Sequence, residues 1–212
     1  MSEAPVESIG RALVTGLCRD DDACATLCAQ LVRLLAEGRL VSRDRLAAAL
    51  NTSREAVDAM LRRVPNVEVD DRDHIVAAGL SLLPTPHHFR VNGHALYTWC
   101  ALDTLMYPLV LRQSARVASR CPVSGVWVRL TVTPERIVQL VPAEALVSFV
   151  VPDTSAACCD VRGAFCNHVH FFSGPVAGAR WRAAHPEALL AVKDALAVAH
   201  QLAQTRYGPG AA

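Results

Sequence analysis

The sequence has little lysine, few aromatic residues and almost no net charge. Lys193 is its only lysine, aromatic residues make up 5% of the chain, and the formal net charge is +1. Strongly basic proteins are drawn to nucleic acids and membrane surfaces by their charge, and a nearly neutral chain lacks this attraction. We therefore expect neither a nucleic-acid partner nor a membrane partner.

The sequence also lacks long hydrophobic runs and an export signal. No apolar run approaches the ~20 residues that a membrane-spanning helix needs. The first five residues contain neither a basic region nor an apolar region of the signal-peptide kind. We therefore expect a cytoplasmic protein. The eight cysteines are then predicted to be reduced and to serve packing, metal binding or catalysis, not a disulfide framework.

What the sequence does have is enough hydrophobic content, 52% of 212 residues, for one large domain or two small ones. A short helix is predicted over residues 6–17. An apolar stripe at helical spacing predicts a second helix from Asp21-Asp22 to Glu37-Gly38. Cys24 and Cys28 are spaced for metal chelation on this helix. Because they lie on its apolar stripe, we favour core packing.

Residues 42–64 have the pattern of a helix-turn-helix. Ser42 is the predicted N-cap of the first helix, and Thr52-Ser53-Arg54-Glu55 fits a capping box for the second. Two short strands, residues 67–69 and 75–77, follow like a wing. The segment therefore resembles a winged helix.

Winged helices often bind DNA, and the predicted phosphate contacts here are Arg54, Arg62 and Arg63. The alternative is a winged helix used for packing or as a lid. Acidic residues interrupt the basic face, and the whole chain is nearly neutral. We therefore favour the packing role.

Pro84-Thr85-Pro86 marks the predicted boundary between an N-terminal part, residues 1–83, and a C-terminal part, residues 84–212. In the second part Asn92-Gly93 predicts a tight hairpin turn. Alternating patterns predict strands over 87–91, 94–98, 115–119, 126–133, 137–140 and 146–151. Residues 176–202 are predicted to be mostly helical, with a break near His185-Pro186 and a loose tail from Gly208 to Ala212.

The stretch Thr98–Leu105 reads as the start of a helix, with Thr98 as N-cap and with Pro108 ending or kinking the helix later. Cys100 and Asp103 are three residues apart and share one helix face. The helix N-terminus is expected to lower the pKa of the Cys100 thiol. The stretch thus pairs a soft nucleophile with an acid/base group, although a buried structural cysteine is the favoured interpretation of this stretch alone.

Phe165–Phe172 is the second informative stretch. In an extended chain Cys166, His168 and His170 point to one face and suggest zinc ligands. Three ligands on alternate positions of one strand surround a tetrahedral ion poorly, and the chain has no C-x-x-C motif. A pairing of Cys166 with Cys100 and Asp103 explains more, since two thiols and a carboxyl suit a soft, thiophilic metal.

On these residues the sequence resembles the organomercurial lyases, also called alkylmercury lyases. The matching stretches are Leu96–Leu105, Ala115–Val117, Cys121 and Phe165–Phe172. The resemblance implies an α+β fold, in which a winged-helix-like N-terminal part packs on a mixed or antiparallel sheet with flanking helices. It also implies cleavage of a carbon–mercury bond by protonolysis, with residues 84–212 as the catalytic part. The catalytic triad of the family falls on Cys100, Asp103 and Cys166, which also bind the substrate or product mercury.

The resemblance carries further expectations. Cys121 is expected to be structural, Asn167 replaces a second cysteine of some members, and Cys158-Cys159 is either an auxiliary mercury pair or incidental. No organic cofactor is expected, whereas external thiols are expected for turnover. The expected partners are an organomercurial substrate and a mercuric reductase that accepts Hg(II), and the chain is expected to be a monomer or weak homodimer.

Two other classes remain open at this point. A winged-helix regulator that senses metal through cysteines predicts operator binding without turnover. A noncatalytic relative that handles metal predicts the loss of one triad residue, and this chain has all three.

Overall fold

The protein combines nine α-helices, one short 3-10 helix and eleven strands within the residues that the computed structural model describes, namely 3–17, 22–64, 66–185 and 188–208. The helices are α1 (Glu3–Leu17), α2 (Asp22–Leu35), α3 (Arg43–Leu50), α4 (Arg54–Leu61), α5 (Ala101–Leu111), α6 (Thr154–Cys159), α7 (Val161–Ala164), α8 (Pro175–Arg182) and α9 (Val192–Tyr207). Across these ranges, no helix combines the length and apolar character required to cross a bilayer.

The strands form two sheets. They are β1 (Glu68–Val69), β2 (Ile75–Ala78), β3 (Leu80–Ser81), β4 (His87–Val91), β5 (His94–Thr98), β6 (Ala115–Arg120), β7 (Trp127–Val132), β8 (Ile137–Val141), β9 (Leu146–Phe149), β10 (Phe171–Phe172) and β11 (Ala188–Ala191). The large antiparallel sheet has the order β1-β2-β3-β5-β4-β6-β7-β8, and the small one has the order β10-β9-β11.

The N-terminal helices follow the predicted apolar pattern. The stripe of α2 is buried at Leu27, Leu31, Leu34 and Leu35. The predicted start at Asp21 lies outside the described residues. Ser42 caps α3 by accepting a hydrogen bond from the Arg45 backbone at 3.1 Å.

The capping box predicted at Thr52 is wrong by one residue. Ser53 is the N-cap of α4, and its Oγ accepts a hydrogen bond from the Ala56 backbone at 3.2 Å. Both serine and threonine cap helices well, so the sequence alone does not separate adjacent candidates.

The predicted wing is present, since β1 pairs with β2, and it forms one edge of the large sheet. Strand β2 pairs with β3, and β3 pairs with β5 of the predicted catalytic part. The sheet therefore runs across the boundary predicted at Pro84, and the division into residues 1–83 and 84–212 stays a prediction.

The hairpin formed by β4 and β5 agrees with its prediction. Asn92 and Gly93 both have positive φ, 50° and 81°, as a type I′ turn requires. The predicted strands β6 to β9 are present with ends shifted by one or two residues.

The C-terminal part departs from its prediction in one element. Residues 188–191 form strand β11, which pairs with β9 and precedes α9, whereas the Ala-rich composition predicts helix. Pairing with a buried neighbouring strand overrides local propensity here. Pro186 and residues 209–212 lie outside the described part of the chain.

The fold is thus the expected α+β arrangement, with the apolar faces of α2, α5 and α9 packed together beside the large sheet. Pro108 does not end α5, which continues to Leu111. This packing places the start of α5 in the centre of the molecule.

Candidate active site

The start of α5 is organised by Cys100 and not by Thr98. Cys100 is the N-cap, in an extended conformation, and its backbone N–H donates a hydrogen bond to Asp103 Oδ2 at 3.2 Å. Thr98 belongs to β5, and its hydroxyl donates to the Cys100 carbonyl at 2.9 Å. Because Asp103 occupies the third helical position, the capping interaction holds its carboxylate beside Cys100.

Cys166 lies in a short 3-10 helix, Cys166–His168, and not in the predicted extended strand. The chain then turns so that the Val169 carbonyl accepts a hydrogen bond from the Ala101 backbone at 3.0 Å. This bond joins the second motif directly to the first turn of α5. The alternation expected for Cys166, His168 and His170 therefore does not occur.

Ser148 of β9 holds this segment from the other side. Its hydroxyl donates to the His168 carbonyl at 2.7 Å and accepts from the His170 backbone at 3.0 Å. Its backbone N–H also donates to the His170 carbonyl, at 3.1 Å. Ser148 is fully buried, so these bonds form in a region of low dielectric.

Cys100, Asp103 and Cys166 come together in the core. Their ligand atoms all lie within 4.8 Å of one another, and all three residues are buried. Among the described residues this is the one group of three or more potential ligands close enough to hold a metal ion, and neither His168 nor His170 belongs to it. Two sulfurs and one carboxylate oxygen suit a thiophilic metal such as mercury better than zinc.

Burial decides the acidity of the Cys100 thiol. Cys100 is 0% exposed, and burial raises its pKa well above the ordinary value, with further increases from the hydrogen bond to Cys166 and the charge of Asp103. The expectation that the helix N-terminus lowers this pKa is therefore wrong. The reason is that loss of hydration outweighs the partial charge of the first helical turn.

Burial also raises the pKa of Asp103, to about 6. Opposing contributions come from its hydrogen bond with the Cys100 thiol, the positive charge of Arg206 and a hydrogen bond from the Tyr107 hydroxyl. Asp103 is therefore ionised near neutral pH but close enough to its pKa to accept and return a proton.

A cavity opens beside the cluster, and Asp103 and Cys166 line it, together with Trp99, Cys28 and Arg206. The buried indole Nε1 of Trp99 has no hydrogen-bond acceptor within the described ranges. An acceptor on a bound molecule would satisfy it. Nothing in the sequence pattern predicts that Arg206 reaches this cavity, because it lies 40 residues beyond Cys166 and 103 residues beyond Asp103.

Cys28 follows its prediction and has one further feature. It packs against the core as expected, but it is only partly buried and also lines the cavity, whereas Cys24 is half-buried one turn earlier on α2.

Cys121 is buried at the junction of β6 with Phe172 and Ala177, consistent with the structural role expected of it. Asn167 and Cys159 are exposed, and the side chain of Cys158 lies outside the described part of the chain.

Comparison with known proteins identifies the family. Residues 80–204 match the family model for alkylmercury lyase, and residues 10–79 match the model for the helix-turn-helix domain of alkylmercury lyase. The chain belongs to the alkylmercury lyase family.

Individual relatives agree with this assignment. The chain is 45% identical to the alkylmercury lyase of Pseudomonas putida over 84% of each chain. It is 46% identical to that of Staphylococcus epidermidis over 81% of this chain and 79% of the relative. The solved structure of the mercury-bound form of MerB2 matches the fold with a TM-score of 0.74 and 20% identity, over 95% of this chain and 98% of that one.

Proposed function

We propose that the protein is an organomercurial lyase in which Cys100, Asp103 and Cys166 cleave the carbon–mercury bond by protonolysis, giving R–H and Hg(II) for mercury detoxification. The observation that carries the proposal is the buried cluster of two thiols and one carboxyl within 4.8 Å. Membership of the alkylmercury lyase family supports the same reaction.

The geometry supports different roles for the two thiols. Cys166 lines the cavity, whereas Cys100 is fully buried and is not among the described residues that line it. Cys166 therefore meets R–Hg–SR′ first and displaces the carrier thiol, which leaves with the Cys166 proton. Cys100 has its hydrogen bond with Asp103, so it is the second thiol to add and gives its proton to that carboxylate.

The second addition raises the electron density on mercury and weakens the bond to carbon. An alkyl carbanion is too basic to leave unprotonated, so Asp103 must deliver the proton as the bond breaks. Carbon leaves as R–H, Asp103 returns to its carboxylate form, and mercury stays in the +2 state between two thiolates. A buried, water-poor site keeps the transferred proton on Asp103 until carbon takes it.

We also propose the conditions under which the reaction takes place, namely its cofactors, its compartment and its partners. No organic cofactor takes part, and external thiols complete turnover by removing Hg(II). The six cysteines described in reduced form fit a reducing compartment, so we place the enzyme in the cytoplasm. A mercuric reductase is the proposed acceptor of Hg(II), and the enzyme works as a monomer or weak homodimer.

The test is incubation with phenylmercury and excess thiol, with benzene and Hg(II) measured together. The unchanged protein should release both in equal amounts, whereas Cys100→Ala and Cys166→Ala should each release almost none. Cys159→Ala, which changes an exposed cysteine outside the cluster, is the matched control. Near-normal benzene release by either triad variant would exclude the two-thiol mechanism.

The regulator alternative is weaker, because two arginines of the helix-turn-helix, Arg43 and Arg54, are engaged in ion pairs. Arg43 contacts Asp58 and Asp73, both at 2.8 Å, and Arg54 contacts Asp44 at 3.2 Å. We expect no sequence-specific DNA retention at physiological salt. Specific retention of one DNA sequence from a random pool would favour the regulator instead.

A further inference from the structure

Hg(II) formed between two buried thiolates has to leave the core. Helix α2 carries a cysteine thiol beside the cavity next to these thiolates. Cys28 lines the cavity that Asp103 and Cys166 also line. It does not belong to the cluster within 4.8 Å, so it is a neighbouring position and not a fourth ligand of the reacting mercury.

Cys24 provides a second thiol on α2, next to Cys28. It lies four residues before Cys28 on α2, on the same helix face, and it is half-buried. Side chains at this spacing have Cβ atoms about 5–6 Å apart, which lets two sulfurs approach a two-coordinate ion from opposite sides.

The surroundings of Cys28 suit a thiol that becomes a thiolate on metal binding. Burial raises the pKa of Cys28, so its side chain is a neutral thiol before metal binds. The charge of Arg206 and a hydrogen bond from it lower this pKa. Arg206 lines the same cavity. The guanidinium therefore offsets negative charge on sulfur once mercury has replaced the proton.

We propose that Cys28, with Cys24 behind it, forms a second mercury-binding site that receives Hg(II) from the catalytic thiols and passes it to an external thiol. The proposal rests on the proposed lyase function for the source of the ion. In the first exchange a Cys28–mercury bond forms, the Cys166–mercury bond breaks, and the Cys28 proton moves to the released Cys166 thiolate. In the second exchange a Cys24–mercury bond forms, the Cys100–mercury bond breaks, and the Cys24 proton moves to the released Cys100 thiolate. No electrons are transferred, and mercury remains Hg(II).

The experiment uses the full chain loaded with one equivalent of HgCl₂ and then mixed with excess glutathione. The loss of thiolate-to-mercury absorbance in the near ultraviolet gives the transfer rate. Cys28→Ser should slow this transfer by about tenfold or more, Cys24→Ser should slow it less, and the exposed Cys159→Ser should match the unchanged protein. Cys28→Ala is the second variant at the same position and should reproduce the slowing.

Transfer from both Cys28 variants at the rate of the Cys159→Ser control overturns the proposal. Loading with HgCl₂ makes this outcome independent of the lyase reaction, whose failure is recognised separately by the absence of benzene from phenylmercury.

Equilibrium binding provides the confirming measurement. In a Cys100→Ser, Cys166→Ser background, Cys28→Ser should weaken retention of Hg(II) against glutathione by about tenfold or more, and Cys159→Ser should not.

Discussion

At the scale of the residue, Asp103 has two tasks that a substitution can separate. It accepts a hydrogen bond from the Cys100 backbone at 3.2 Å, which is structural, and it holds the proton that carbon takes, which is chemical. Asparagine keeps an acceptor oxygen for the first task but cannot hold and return a proton.

Asp103→Asn is therefore expected to bind phenylmercury on cysteine but to release benzene at least about 10²-fold more slowly than the unchanged protein. Single-turnover benzene release, with mercury capture assayed in parallel, measures both. Asp103→Glu keeps the acid and should retain part of the rate. Capture with near-normal release from the asparagine variant would remove Asp103 from the proton path.

The same carboxylate costs stability at neutral pH. Its pKa is about 6 in the folded protein against 3.8 for the ordinary group, so folding favours the protonated form. The stabilising contribution is present below about pH 4 and is lost as the pH rises to about 6, a difference of about 3 kcal/mol.

We therefore expect Asp103→Asn to gain stability over the unchanged protein as the pH rises from about 4 to about 7, by up to ~3 kcal/mol. Urea denaturation at several pH values tests this. The exposed Asp71→Asn serves as the control and should show no such gain. A stability difference that is the same at every pH would contradict the burial argument.

At the scale of the element, the short 3-10 helix that carries Cys166 has little internal hydrogen bonding and depends on its neighbours. Ala101 binds it from α5, and Ser148 binds it from β9 through two side-chain hydrogen bonds. The position of Cys166 relative to Cys100 is therefore set by long-range contacts.

Ser148→Ala removes both side-chain bonds and leaves the His168 carbonyl and His170 N–H without this partner. We expect a loss of about 1–3 kcal/mol in unfolding free energy and a fall in single-turnover benzene release, since Cys166 is then less well held. Ser114→Ala, at an exposed serine, is the matched control. Normal release from a destabilised Ser148→Ala protein would show that the side-chain hydrogen bonds of Ser148 stabilise the fold without positioning Cys166.

At the scale of the whole molecule, the N-terminal part completes the catalytic part. Strand β3 covers the edge of β5, and α2 contributes Cys28 to the cavity. Removal of the N-terminal part would leave an unpaired strand edge and uncover apolar surface of α5 and α9.

A fragment of residues 84–212, the predicted catalytic part, is accordingly expected not to fold alone. Circular dichroism and heteronuclear NMR of the fragment provide the measurement. Cooperative unfolding of the isolated fragment, with mercury capture by its cysteines, would show that the boundary at Pro84 separates independent units.

The sequence by itself determined the parts of this protein that depend on local chemistry. Helical periodicity located α2, the Asn92-Gly93 pair located a hairpin, and the two motifs around Cys100 and Cys166 identified the family, because each pattern is complete within a few adjacent residues.

Only the tertiary structure decided what depends on distant residues. It determined that burial raises the pKa of Cys100, that Ser148 holds the Cys166 segment, and that Cys28 and Arg206 share the cavity of Asp103. It also turned residues 188–191 into a strand beside β9. These properties arise from solvent exclusion and from contacts between segments far apart in the chain, which no local pattern specifies.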